Sequence, residues 1–159
     1  MKQLKSFFLL VVPCSLWLAS CSTVDLYEKT VAIPGHEWQS NFRPSFEFEI
    51  KDTNSLYTIY VILRHNEKYS FTNIYLNLYI QPPGVDTTIK IQRDLQLATA
   101  EQGWLASGMD DIYEHRIALW EKQPLEAGLY TFTLEQIMRE DPLKNVLDVG
   151  VRVEKEKPE

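Results

Sequence analysis

Asn73-Ile74-Tyr75-Leu76-Asn77-Leu78-Tyr79-Ile80-Gln81 decides the fold class. Side chains of an extended chain point alternately to opposite faces, so Ile74, Leu76, Leu78 and Ile80 share one side. Asn73, Tyr75, Asn77 and Tyr79 share the other, which gives a strand with one buried and one wet face. The same period of two recurs on either side of this stretch. Phe46, Phe48 and Ile50 alternate with Glu47, Glu49 and Lys51, and Ile89 and Ile91 with Thr88, Lys90 and Gln92. Tyr130, Phe132 and Leu134 alternate with Thr131, Thr133 and Glu135. Leu147, Val149, Val151 and Val153 alternate with Asp148, Gly150, Arg152 and Glu154. Residues 56–63, LYTIYVIL, are apolar at nearly every position, which suits a central strand covered on both faces.

Turn signals separate these runs: Asp52-Thr53-Asn54-Ser55, Pro82-Pro83-Gly84 and Ala127-Gly128. About seven or eight short strands so punctuated predict an all-β protein, an antiparallel β-sandwich of Ig-like or jelly-roll type. Glu126-Ala127-Gly128-Leu129-Tyr130 supports it, because a tyrosine entering a late strand just after a glycine turn resembles the tyrosine corner of Greek-key sandwiches. One short helix is expected over residues 134–140, stopped by Asp141-Pro142. The sandwich domain is expected to span residues 42–159, preceded by a tether with a first short strand over residues 21–41. No internal repeat or second domain is apparent.

The chain has 159 residues, 45% hydrophobic and 24% charged, an ordinary globular balance for one domain. Its 22 acidic residues outnumber 16 Lys and Arg, and no basic cluster offsets them, so nucleic acid is not an expected partner. The N-terminus reads as an address. Lys2 and Lys5 precede an apolar run from residue 7 to residue 18, too short to cross a bilayer and right for a signal peptide. It ends in Leu18-Ala19-Ser20-Cys21, which resembles the bacterial lipobox. Cleavage between Ser20 and Cys21 is expected to remove residues 1–20, and the Cys21 thiolate is expected to accept a diacylglycerol, with palmitate-type acyl chains.

The removed segment takes two lysines and no acid, lowering the net charge from −6 to −8. It also takes Cys14, so the mature domain has neither a free thiol nor a disulfide and depends on its packed core. Ser22 stands where an aspartate would retain a lipoprotein in the inner membrane of well-studied Gram-negatives. Ser22-Thr23-Val24-Asp25 is not an acidic surface-export cluster either. The expected location is the outer membrane, facing the periplasm.

Chemistry is hard to find. His36, His65 and His115 are scattered, without metal-ligand spacing, and no metal or cofactor is expected. Ser107 lacks the nucleophile-elbow frame, no glycine-rich phosphate loop exists, and no enzyme is expected. The densest polar string is Asp110-Asp111-Ile112-Tyr113-Glu114-His115-Arg116. It reads first as a solvated strand with cross-strand ion pairs, then as a binding surface, last as a metal site. Trp38, Trp104 and Trp120 suit the core, or else stacking on a sugar. Gly103 and Gly108 flank Trp104 and predict a loop there, which makes it the leading candidate of the three for an exposed ring.

The lipobox cysteine, Gly103-Trp104-Leu105, the string from Asp111 to Arg116 and Gly128-Leu129-Tyr130-Thr131-Phe132 occur in order. Leu134-Glu135-Gln136-Ile137-Met138-Arg139-Glu140-Asp141-Pro142-Leu143 and Val146-Leu147-Asp148-Val149-Gly150-Val151-Arg152-Val153-Glu154-Lys155 follow. Together they resemble the GldH family of gliding-motility lipoproteins from Bacteroidetes, over nearly the whole mature chain. The resemblance implies a non-enzymatic envelope lipoprotein, an accessory or scaffold of the gliding machinery and of type IX secretion. Its implied partners are the membrane, through Cys21, and other envelope proteins of that machinery. The family carries no catalytic residues to transfer. Trp104, Asp110, Asp111, Tyr113, Glu114, His115 and Arg116 stand as the candidate partner surface. Asp86-Thr87-Thr88 resembles a short O-glycosylation signal of exported Bacteroidetes proteins, which makes Thr87 a candidate glycan site. The alternative function is a glycan-binding sandwich engaging envelope polysaccharide.

Overall fold

The strand that decided the fold class, β5 (Asn73–Gln81), lies inside a four-stranded sheet of a computed structural model that describes residues 26–156. The order is β3 (Ser45–Ile50), β11 (Gly128–Gln136), β5, β6 (Ile89–Gln96). The second sheet has five strands: β1 (Leu26–Ala32), β13 (Val146–Lys155), β4 (Leu56–Asn66), β10 (Ile112–Pro124) and β9 (Ser107–Met109). Neighbours in both sheets run antiparallel. Two short ladders, β2 (Glu37–Trp38) with β12 (Leu143–Lys144) and β7 (Ala98–Thr99) with β8 (Gly103–Trp104), lie toward one end.

The alternating apolar residues meet between the sheets. Phe46, Phe48, Ile50, Ile74, Leu76, Leu78, Ile80, Tyr130, Phe132 and Leu134 come from the four-stranded side. Tyr57, Ile59, Val61, Leu63, Val149, Val151 and Val153 face them in one continuous core. Aromatic rings bridge the layers: Tyr27 lies 5.5 Å from Phe48, and Trp120 meets Phe132 edge-on at 5.9 Å. Such burial, at about 25 cal/mol per Å² of apolar surface, is the main force holding a domain without disulfides. The antiparallel sandwich expected from the sequence is the architecture found.

β4 is the middle strand of five, and both its faces are covered as its composition requires. Ile62 is fully buried on the outer face, flanked in register by Gly150 and Arg116. The tyrosine corner is present: the Tyr130 hydroxyl accepts from the Glu126 N–H at 3.1 Å. Gly128 makes the turn at φ +133, and a Cβ there would overlap the Pro83 ring.

Two expectations are corrected. No helix forms over residues 134–140. Leu134, Glu135 and Gln136 instead extend β11 and pair with Leu78, Asn77 and Leu76 of β5. A ladder along an existing strand satisfies their backbone groups, and tertiary pairing overrides a weak helical propensity. Of the tether with a first short strand expected over residues 21–41, only the tether part is corrected: from Leu26 onward the described residues pack into the sandwich. Leu26–Ala32 forms the edge strand β1, paired with β13 over seven residues, and Trp38 is fully buried. Gly150 permits this, since a Cβ on it would overlap the Lys29 carbonyl oxygen. The signal peptide, the Ser20–Cys21 cleavage site and Cys21 lie outside the described residues.

Candidate functional site: a buried histidine pair and its surroundings

β4 and β10 bring together residues about fifty positions apart. Tyr113 stands opposite His65, and His115 opposite Leu63, so both histidines lie on the inner face as diagonal neighbours. Both are wholly buried. Their Nε2 atoms are 2.9 Å apart. His65 Nδ1 lies 2.8 Å from the Asn66 carbonyl oxygen and His115 Nδ1 3.2 Å from that of Leu105. A carbonyl only accepts, so each Nδ1 must carry the proton. The three contacts therefore call for three protons, while two neutral imidazoles supply two. Burial works against the third: it pushes both histidines below their usual range, His115 to about 4, with the neighbouring His65 adding to the effect.

Aromatic rings wall the pair in. Trp104 lies 4.4 Å from the His65 ring, Tyr69 4.9 Å and Tyr113 5.5 Å. Trp104 is brought there by the β7–β8 hairpin, in which Ala98 pairs with Trp104. The arrangement can hold a proton between two imidazoles or lock two strands together. Among the described residues no group of three or more His, Cys, Asp or Glu side chains converges on a metal position.

The other face of β10 is ionic. Glu114 stands directly opposite Arg64 and accepts from its guanidinium at 2.7 Å, while Arg116 pairs with the other carboxylate oxygen at 2.9 Å. Burial would raise the Glu114 carboxyl, but the hydrogen bonds and charges of the two arginines outweigh it and hold it below the usual carboxylate range. From Ile112 the polar string is a strand that carries the expected cross-strand ion pair, Arg64 with Glu114, but Asp110 and Asp111 lie in a turn and the strand is not solvated throughout, since His115 is wholly buried. The structure divides the candidate partner surface. His115 is buried, Tyr113 and Trp104 are half-buried in the histidine nest, and Glu114 is engaged with arginines. Asp110, Asp111 and Arg116 are exposed, the aspartates at a turn where Asp110 has φ +56. Thr87 is exposed in the β5–β6 connection. Among the described residues no tryptophan is an exposed ring: Trp38 is buried, and Trp104 and Trp120 pack against the core.

A second cluster escaped sequence reasoning. Glu135 was assigned to a wet face but is buried, accepting from Asn77 at 2.8 Å and Tyr79 at 2.6 Å and pairing with Arg43. Burial would raise its carboxyl, yet these hydrogen bonds and the positive charge of Arg43 lower it. The alternation placed Asn77, Tyr79 and Glu135 on one face, which was the available signal.

A family model described as GldH lipoprotein matches residues 25–153. The chain belongs to the GldH lipoprotein family. Among curated relatives, the gliding motility lipoprotein GldH homolog of Christiangramia forsetii is 28% identical over 98% of both chains. The gliding motility lipoprotein GldH of Flavobacterium johnsoniae is 25% identical over 88% of this chain and 91% of its own. Among solved structures, a carbohydrate-binding module specific for non-crystalline cellulose aligns with a TM-score of 0.46 and 14% identity, over 82% of this chain and 73% of that one. The infectious bursal disease virus VP2 subviral particle aligns at 0.35 and 15%, over 80% of this chain and 32% of that one. Among the described residues of this GldH-family chain, no helix is long and apolar enough to cross a membrane.

Proposed function

We propose that this GldH-family chain is a lipid-anchored accessory or scaffold component of the gliding-motility machinery and of the type IX secretion associated with it. Residues 1–20 are its signal peptide, and Cys21 carries the lipid. It sits on the outer membrane with its domain in the periplasm, and it assembles with other envelope proteins rather than performing catalysis. The observation that supports this is a single juxtaposition. The family match begins at residue 25, four residues after a lipobox cysteine. A lipid anchor confines the domain to a thin shell beside the membrane, which raises its effective concentration toward neighbouring envelope proteins. A moderate interface then suffices for assembly. The exposed part of the polar string, Asp110 and Asp111 in the turn and Arg116 on β10, is the surface offered to such a partner.

The test is crosslinking in intact cells, followed by pull-down of an epitope-tagged protein in detergent and mass spectrometry, with Cys21→Ala alongside. The expected result is recovery of other gliding or type IX secretion components with the wild type and their loss with Cys21→Ala. Recovery of polysaccharide alone would reject the scaffold reading in favour of a glycan-binding one.

A further inference from the structure

The strand registers sort the loops into two ends. Leu26 pairs with Glu154, Thr58 with Glu154, and Leu56 with Pro124, so these residues share one end of the five-stranded sheet. Gly128 pairs with Ile50, and Ile80 with Ile89, and the short Ile50–Leu56 connection puts both at that same end. Eight large apolar side chains are notably exposed among the described residues, and five of them gather here: Leu26, Leu56, Val85, Ile89 and Leu129. Each is the first or second residue of its strand or lies in the β5–β6 turn. Leu129 is the most exposed, at 53%. Single exposed apolar residues are ordinary, but a gathered set at one tip marks a contact surface.

The chain itself says what covers this tip. From Cys21 to Leu26 is five residue steps, at most about 3.6 Å each, so Leu26 stands within about 18 Å of the lipidated cysteine. Tyr75, Leu105 and Ile112, the other three exposed apolar residues, lie at the opposite end. That end is an eleven-residue strand away, on the order of 33 Å. We infer that the tip formed by Leu26, Leu56, Val85, Ile89 and Leu129 rests in the headgroup region of the membrane that holds Cys21. Docking there fixes the sandwich upright, with the histidine end pointing away from the bilayer. The inference rests on acylation of Cys21, the reading given above. Apolar burial at the interface drives the contact, because a mature domain of net charge −8 gains nothing from anionic lipid.

The test uses the acylated protein in phosphatidylethanolamine–phosphatidylglycerol vesicles, with Leu129→Cys or Ile112→Cys labelled by an environment-sensitive dye. The introduced thiol is the one free cysteine, since Cys14 is removed and Cys21 is acylated. Nitroxide lipids with the spin label at headgroup depth are the quencher. The Leu129→Cys dye is expected to be quenched several-fold more than the Ile112→Cys dye, and to stay so at high salt. Equal quenching at the two ends, or none at either, on protein whose intact mass shows the acyl chains would overturn the docked tip and leave the anchor standing. A mass lacking acyl chains, with protein that fails to float with vesicles, would overturn both readings.

Discussion

The two ends of the sandwich handle their apolar and polar side chains in opposite ways. At the histidine end, where Tyr75 is an exposed ring, four other large rings turn inward: Trp38 is buried with its indole N–H donating to the Phe42 carbonyl, and Trp104, Tyr69 and Tyr113 enclose two imidazoles. At the other end aliphatic side chains stand in the open at strand starts and in a turn. Side chains at the first end therefore contribute to stability, while those at the second are free to contribute to contacts outside the molecule. The contrast separates residues whose replacement unfolds the domain from residues whose replacement changes only what it touches.

Three substitutions sharpen or break that contrast. Trp38→Ala should cost about 4 kcal/mol in urea unfolding, as expected for an aromatic removed from a closed core. A loss under about 1 kcal/mol would mean the histidine end is looser than its burial indicates.

The second concerns acidity. Both histidines are held below their unfolded value of 6.5. The unfolded chain therefore takes up protons first as the pH falls. The stability they contribute is complete above about pH 6.5 and is lost progressively toward the folded value of His115, about 4. Glu114 and Glu135, lowered from 4.5, add their own loss as the pH falls below about 4.5. His115→Gln should flatten the decline between pH 6.5 and 4.5, leaving the part due to His65. An unchanged slope in that window would mean the pair is not the titrating element.

The smallest effect is expected at the open end. Leu129→Ser should shift unfolding by no more than about 0.5 kcal/mol, since its side chain is mostly in water. A cost near 2 kcal/mol, measured by the same urea titration, would erase the distinction between the ends.

Much of this architecture is legible in the sequence because period-two alternation reports burial directly. β3 follows the pattern residue by residue, β5 does so except at the buried Asn77 and β11 as far as Leu134, and the largely apolar β4 is the central strand its composition implied. β13 does so from Val149 onward, after a register irregularity between Val146 and Asp148. β1 is the first short strand expected within residues 21–41, but its seven-residue extent is hard to read because an edge strand needs few buried residues: only Tyr27 and Val31 of LYEKTVA are partly buried, and the rest read as polar linker. Leu134, Glu135 and Gln136 misled for the opposite reason. They are three consecutive buried residues, which erases the alternation just where the Gln136 amide donates to the Trp38 carbonyl. The histidine pair could not be read at all. His65 and His115 meet through a pairing register, and a register is a property of two strands that neither sequence segment states alone.

The placement of β1 has a mechanical consequence. Its first residue is where the membrane anchor would pull, and it runs antiparallel to β13 from Leu26 to Ala32. Ladder bonds lie across the strand direction, so a load drawn toward the bilayer and resisted at the histidine end stresses the whole ladder side by side. It does not peel the bonds apart one at a time. A strand held in shear is the strong way to fasten a domain to a moving surface, and Gly150, by letting β1 lie close against β13, is what seats the fastening.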